Sequence, residues 1–137
     1  MRKIGLDVGD RTIGVSVSDG LQLTAQGVET IRRTSWEKDM ARLAILFAEY
    51  EAEIIVVGLP KNMDGTEGDR CRIVREFAAG LQEHFPDKKI AFWDERLSTV
   101  AASRSLIEAD VSRAKRKKVI DKMAAVFILQ GYLDSGR

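Results

Sequence analysis

Residues 3–18 read KIGLDVGDRTIGVSVS and decide the fold of this 137-residue chain. Apolar residues and glycines surround Asp7 in the first half of this stretch, which predicts a buried strand carrying one acidic side chain. The chain then turns at Gly9 and Asp10, and apolar and polar residues alternate up to Ser18, as is typical of a second strand. The stretch therefore predicts a β-hairpin with a carboxylate near its tip.

Asp7 is the first candidate for a functional residue. An ionised carboxylate is costly to bury unless a cation or hydrogen-bond donors meet it. Gly5 and Gly9 on either side leave room for a ligand or a backbone to approach closely. The alternative is that Asp7 only opens the turn, but Asp10 already supplies an aspartate for that purpose. The pattern favours a metal or phosphate site at Asp7.

The composition indicates one globular domain over residues 1–137, with 45% hydrophobic and 31% charged residues. No segment approaches the roughly 20 apolar residues of a membrane span, so we expect no membrane association. The single cysteine excludes an internal disulfide and a cysteine-based zinc site, and it indicates a cytoplasmic protein. Since the chain has one histidine, at a predicted helix end, catalysis is expected to use carboxylates, lysines, arginines and hydroxyls.

The rest of the chain alternates between helical and strand patterns. Apolar runs near 26–32, 53–58 and 89–93 predict three further strands. Thr34 with Glu37, Asp69 and Ser98 are the predicted N-terminal caps of helices, and a final helix is predicted from about 119 to 133. This order predicts an α/β fold with a mixed five-stranded sheet and helices on both faces.

Open α/β sheets place ligands at the carboxyl ends of their strands. Asp94 and Glu95 follow the fifth predicted strand and would point to opposite faces if the strand continued through them. Because helices cover both faces, either residue could join Asp7. Asp121 supplies a third acid on the last helix, where it is favoured either by the helix dipole or by a site on the inward face. That face also carries Ala124, Ala125, Ile128 and Tyr132.

Carboxylates that converge repel each other unless a cation lies between them. Oxygen ligands select Mg²⁺ or Mn²⁺, and two such ions about 4 Å apart can activate water and stabilise a leaving oxygen in phosphodiester cleavage. A cluster of basic residues precedes Asp121, either as a solvated loop or as a phosphate-binding segment, and its position beside the acids favours phosphate binding. The cluster comprises Arg113, Lys115, Arg116, Lys117 and Lys118.

Four segments together resemble a known family. They are GLDVG with RTIGV (5–9 and 11–15), GLPKNMDGTEG (58–68), DERLST (94–99) and DKMAAVFILQGYLD (121–134). Their order and spread over nearly the whole chain are similar to the YqgF/RuvX family. This resemblance implies the ribonuclease H-like fold and an activity as a Holliday junction resolvase or as a nuclease maturing the 5′ end of small-subunit ribosomal RNA.

The resemblance also implies an acidic centre of Asp7, Glu95 and Asp121, which act as catalytic residues and as ligands of Mg²⁺ or Mn²⁺. It thereby selects Glu95 over Asp94. Resolvases of the wider superfamily carry a further carboxylate on the last helix, whereas this chain has Ala124 three residues after Asp121. The difference favours one strongly held ion over two.

Further candidates for contacts with the nucleic-acid backbone are Lys61 and Asn62, in the 58–68 loop, and Arg96. The loop could equally serve only to shape the cleft.

The leading hypothesis is a metal-dependent nuclease that acts on structured nucleic acid. Its first expected role is 5′-end maturation of pre-16S rRNA during ribosome biogenesis. The alternatives are a Holliday junction resolvase in DNA repair and a non-catalytic nucleic-acid-binding assembly factor. An actin-like ATPase also uses an Asp-x-Gly loop but needs two such domains. The oligomeric state, monomer or homodimer, stays open.

Overall fold

The computed structural model describes residues 2–97 and 113–136, with side chains for all of these except 97 and 113–122. The described residues form five strands, three helices and one turn of 3-10 helix. The strands are β1 (Arg2–Val8), β2 (Thr12–Ser18), β3 (Ala25–Arg32), β4 (Ala52–Leu59) and β5 (Lys89–Asp94). The helices are α1 (Trp36–Glu49), α2 (Asp69–His84) and α3 (Arg113–Asp134), and the 3-10 turn is Glu95–Leu97.

The five strands form one mixed sheet in the order β3-β2-β1-β4-β5. β1 and β2 are antiparallel, as are β2 and β3, while β4 runs parallel to both β1 and β5. This arrangement confirms the predicted hairpin and the predicted mixed sheet. As a consequence, the carboxyl ends of β1, β4 and β5 lie at one end of the sheet, together with the β1–β2 turn.

Helices cover both faces of the sheet, as predicted. Alternate residues of β1 and β2, such as Leu6 and Val15, pack with α1 and α2 in the larger hydrophobic core. The opposite face carries Val56 and Trp93, which pack against apolar residues of α3. β1 is buried on both faces because its neighbours in the sheet cover its edges and the helices cover its sides.

Small residues on β1 and β2 allow α3 to lie very close to the sheet. A Cβ atom on Gly5 would lie 2.8 Å from Cβ of Leu129 and 3.0 Å from the carbonyl oxygen of Ala125. Beside it, the buried Ser16 hydroxyl donates a hydrogen bond of 2.7 Å to the Ala125 carbonyl. The position of α3 along β1 is therefore set by close backbone contact.

Several local predictions are wrong in detail. The N-cap of α1 is Ser35, whose hydroxyl accepts from Lys38 N, and not Thr34. Gly68 precedes α2, so Asp69 is its first residue and not its cap. The basic residues 113–118 belong to α3, which begins before the predicted residue 119 because helical hydrogen bonding continues through them. The predicted cap Ser98 lies outside the described residues.

Candidate active site

Asp7 lies near the carboxyl end of β1, on the face of the sheet that α3 covers. It shares this face with Gly5 because side chains two residues apart along a strand point the same way. In the sheet Asp7 pairs with Gly14 of β2. On its other side, Leu6 pairs with Val57 of β4, so the next step of the parallel register sets Asp7 beside Gly58. Two glycines, which have no side chains of their own, thus flank the half-buried Asp7.

Glu95 reaches the same part of this face from β5. The strand ends at Asp94, which pairs with Leu59, and Glu95 begins the 3-10 turn. One carboxylate oxygen of Glu95 lies 2.8 Å from the point where a Cβ atom on Gly58 would stand. Any larger residue at Gly58 would therefore displace either this carboxylate or the neighbouring Ile128. The structure brings Asp7 and Glu95 together on either side of Gly58.

Asp94 has a different environment from Glu95. Its carboxylate accepts hydrogen bonds from the Arg96 guanidinium, the shortest being 2.7 Å, and one of 3.0 Å from the Arg96 backbone N–H. These bonds hold the pKa of Asp94 below its ordinary value. Because the strand does not continue through Glu95, the expected alternation between the two acids does not apply.

Asp121 lies on α3, and its side chain is outside the description. The residues predicted to share its face are buried: Ala124, Ala125, Ile128 and Tyr132 are at most 5% exposed. α3 runs opposite to β1, since Gln130 contacts the backbone of Ala25 near the far end of the sheet. Residue 121 is four positions before Ala125, about 6 Å along the helix, and Asp7 is two positions after Gly5, about 7 Å along the strand. The backbone of residue 121 thus lies about one helical turn before Ala125, which contacts Gly5, and the meeting of its carboxylate with Asp7 stays a prediction.

Among the described side chains, which do not include that of Asp121, no three carboxylate, histidine or cysteine groups form a cluster able to hold a metal ion. The ligand set of Asp7, Glu95 and Asp121 thus stays a prediction.

The loop after β4 is tied to this end of the sheet by Arg96. The guanidinium group donates to the carbonyl oxygen of Met63 at 3.4 Å and lies against Gly65, whose φ of +91° suits a glycine. The Asn62 amide donates to the Thr66 hydroxyl at 3.0 Å, which closes the loop on itself. Lys61 is half-buried at the start of the loop. Arg96 and Asn62 thus have contacts that hold the loop together. Substrate binding by Lys61, Asn62 and Arg96 stays a prediction.

The predicted basic cluster before Asp121 lies on the first turns of α3. The side chains of Arg113, Lys115, Arg116, Lys117 and Lys118 are outside the description, so their contact with phosphates stays a prediction.

The sequence did not lead us to assign Gly58 to the site. The available signal was its place directly after the β-branched run Ile54–Val57, where a further large residue would have extended the buried strand. The structure gives the reason for the exception, because Glu95 and Ile128 occupy the space of a side chain there.

Comparison with known proteins supports the fold and the family. A family described as "RuvX: Holliday junction resolvase" matches residues 1–135. A relative from Desulforamulus reducens, named "Putative pre-16S rRNA nuclease", is 62% identical over 136 residues, which cover 99% of this chain and 98% of the relative. One of the same name from Myxococcus xanthus is 58% identical over 137 residues and covers 100% and 90%.

Two solved structures share the fold at low sequence identity. RuvC from T. thermophilus, in complex with a Holliday junction substrate, has a TM-score of 0.59 at 14% identity and covers 99% of this chain and 96% of its own. The fowlpox virus Holliday junction resolvase has a TM-score of 0.56 at 16% identity and covers 100% of both chains. Within the described residues no helix is long and apolar enough to cross a membrane. The chain has the ribonuclease H-like fold and belongs to the RuvX family of nucleases, as its four motifs predicted.

Proposed function

We propose that this protein is a divalent-metal-dependent nuclease that hydrolyses phosphodiester bonds at the 5′ end of pre-16S rRNA, in the cytoplasm. The relatives that match over the whole chain carry the name of that activity. The observation that supports the proposal is that Asp7 and Glu95 both lie beside Gly58, at the end of the sheet where β1, β4 and β5 have their carboxyl ends.

Asp7, Glu95 and Asp121 would hold the metal ion. The donor set fits Mg²⁺ or Mn²⁺, because it consists of carboxylate oxygens and because the absence of a side chain at Gly58 lets the Glu95 carboxylate lie beside the register neighbour of Asp7. When bound, the ion would supply Lewis-acid stabilisation of the phosphate oxygens and lower the pKa of a water molecule. Ala124 is buried and offers no fourth carboxylate, so we infer one strongly held ion.

The chain's own residues then orient the substrate. Asp7 lies in a strand hydrogen-bonded on both sides, so its carboxylate is held by a rigid element. Lys61, Asn62 and Arg96 would contact the nucleic-acid backbone beside it. The basic residues on the first turns of α3 would neutralise further phosphates. They are Arg113, Lys115, Arg116, Lys117 and Lys118.

The test compares wild type, Asp7→Asn and Asp87→Asn on an RNA containing the 5′ precursor segment of 16S rRNA and on a four-way DNA junction. Each reaction is run with Mg²⁺, with Mn²⁺ and with a chelator. The control removes the same charge at an exposed aspartate before β5, at the opposite end of the sheet.

We expect wild type and Asp87→Asn to cleave the RNA in either metal, and Asp7→Asn to be inactive but folded, since removing one of several like charges relieves repulsion. Thermal unfolding checks the fold of each variant. Cleavage by Asp7→Asn at the wild-type rate would contradict its role as a ligand, and binding without cleavage by wild type would instead indicate an assembly factor.

A second candidate function is the cleavage of Holliday junctions, which the description of the matching family favours. The DNA junction in the same assay decides between the two. Metal-dependent cleavage of the junction alone would replace the rRNA proposal without affecting the acidic centre.

A further inference from the structure

A group of arginines lies around the β1–β2 turn, outside the acidic centre. Arg33, directly after β3, donates its backbone N–H to the Arg11 carbonyl at 2.8 Å and its guanidinium N–H to the Gly9 carbonyl at 2.7 Å. Arg70, in the first turn of α2, forms an ion pair of 3.6 Å with Asp10. We call Arg11, Arg33, Arg70 and the nearby Trp36 the arginine surface.

An open cavity of about 320 Å³ is lined by Arg33 and Trp36 of this surface and by two acids, Asp10 and Asp39, each of which is paired with an arginine. Asp39, only 4% exposed, meets Arg33 at 3.6 Å and accepts from the Thr34 N–H. Asp10 meets Arg70. Arg11 is exposed and has no ion-pair partner in the described part of the chain. The surface therefore has a surplus of positive charge.

Trp36 lines the same cavity. Its indole is held against α2, because the ring contacts Phe77 at 5.5 Å between centroids and lies 2.8 Å from where a Cβ atom on Gly80 would stand. The residue is nevertheless 38% exposed. A rigid, half-exposed aromatic ring beside arginines is the arrangement on which single-stranded nucleic acids stack their bases.

We propose that the arginine surface binds a single-stranded RNA segment that flanks the bond to be cleaved. Guanidinium groups bind phosphates through paired N–H donors, and Trp36 would stack against one base. Gly9, which Arg33 contacts, is two residues after Asp7. Asp7 faces α3, whereas Trp36 packs on α2, so the bound strand would cross the β1–β2 turn from one face of the sheet to the other. The proposal deepens the nuclease function and rests on it.

The first test measures binding of a fluorescently labelled single-stranded RNA in a chelator at several salt concentrations. It compares wild type with the double variant Arg11→Gln/Arg70→Gln, which leaves the buried Arg33–Asp39 pair intact. The control, Lys88→Gln/Lys89→Gln, removes two charges just before and at the start of β5, at the opposite end of the sheet.

Loss of two phosphate contacts should reduce the slope of log affinity against log salt by about 1.4. The affinity of the variant divided by that of wild type should then be roughly 25-fold lower at 0.1 M salt than at 1 M. The control should bind like wild type. An unchanged slope in the arginine variant, or an equal loss in both variants, would overturn the proposal.

The second test uses acrylamide quenching of tryptophan fluorescence in the wild-type protein. Only two tryptophans are present, and Trp93 is 6% exposed, so quenching reports mainly on Trp36. Saturating RNA should protect Trp36, and unchanged quenching would refute stacking on it. Both measurements are made without cleavage, so failure of the nuclease proposal would appear as an inactive wild type with this binding intact.

Discussion

Gly58→Ala tests whether the space beside Asp7 matters for catalysis. The new Cβ atom would lie 2.3 Å from Cδ1 of Ile128 and 2.8 Å from Oε1 of Glu95, and both are closer than atoms pack. Overpacking of this kind costs about 1–3 kcal/mol, while replacing a strand glycine returns roughly 0.5–1 kcal/mol. We therefore expect a modest net loss of up to roughly 2.5 kcal/mol in the free energy of unfolding.

The expected loss of activity is larger than this loss of stability. To reach an ordinary contact distance of 3.4 Å, the Glu95 oxygen must move by at least about 0.6 Å from its present 2.8 Å. Misplacing a reacting group by about 1 Å can cost on the order of 100-fold in rate. The variant should therefore cleave about 10- to 100-fold more slowly while still folded.

Two further variants make the prediction specific. Gly20→Ala introduces the same methyl group at an open position, with no atom within 4 Å, and should leave both stability and cleavage unchanged. Gly58→Ala/Ile128→Val removes the clash with Cδ1 but leaves a γ carbon at 2.9 Å, so it should recover part of the stability without recovering the rate, because Glu95 stays displaced. Urea unfolding and cleavage rates are measured on the same preparations. Wild-type cleavage by Gly58→Ala would refute the role assigned to Glu95.

Three smaller predictions concern the frame around the site. Ser16→Ala loses the buried hydrogen bond to the Ala125 carbonyl and should cost about 1 kcal/mol in urea unfolding; no loss would mean that this bond does not anchor α3. Arg42 lowers the pKa of Glu29 from its ordinary value of 4.5, so Arg42→Gln should be slightly less stable than wild type at pH 7, and the difference should vanish as the pH falls through the lowered pKa. A difference that persisted in acid would rule out the charge pair as its cause. Alanine at 115–117 should flatten the salt dependence of RNA binding by roughly 0.7 units per lost contact, and identical slopes would leave the first turns of α3 without a role in binding.

Local sequence determined much of the fold. The alternation in residues 3–18 predicted the hairpin, because strand periodicity is a property of neighbouring residues. The order of strands and helices predicted the mixed sheet, because short connections restrict the possible topologies. Asp7 could be recognised as unusual for the same local reason, since a carboxylate within an apolar strand needs a partner.

Contacts between distant segments decided the rest. The residues alone left Asp94 and Glu95 as alternatives, and the resemblance selected Glu95; the structure adds that Asp94 pairs with Arg96 while Glu95 lies beside Gly58 of another strand. The position of α3 over the sheet depends on how closely Ala125 and Leu129 approach Gly5. The arginine surface joins the β1–β2 turn, the start of α1 and the start of α2. Apart from the local Asp94–Arg96 pair, these contacts have no periodic signature, because they depend on packing between elements remote in the chain.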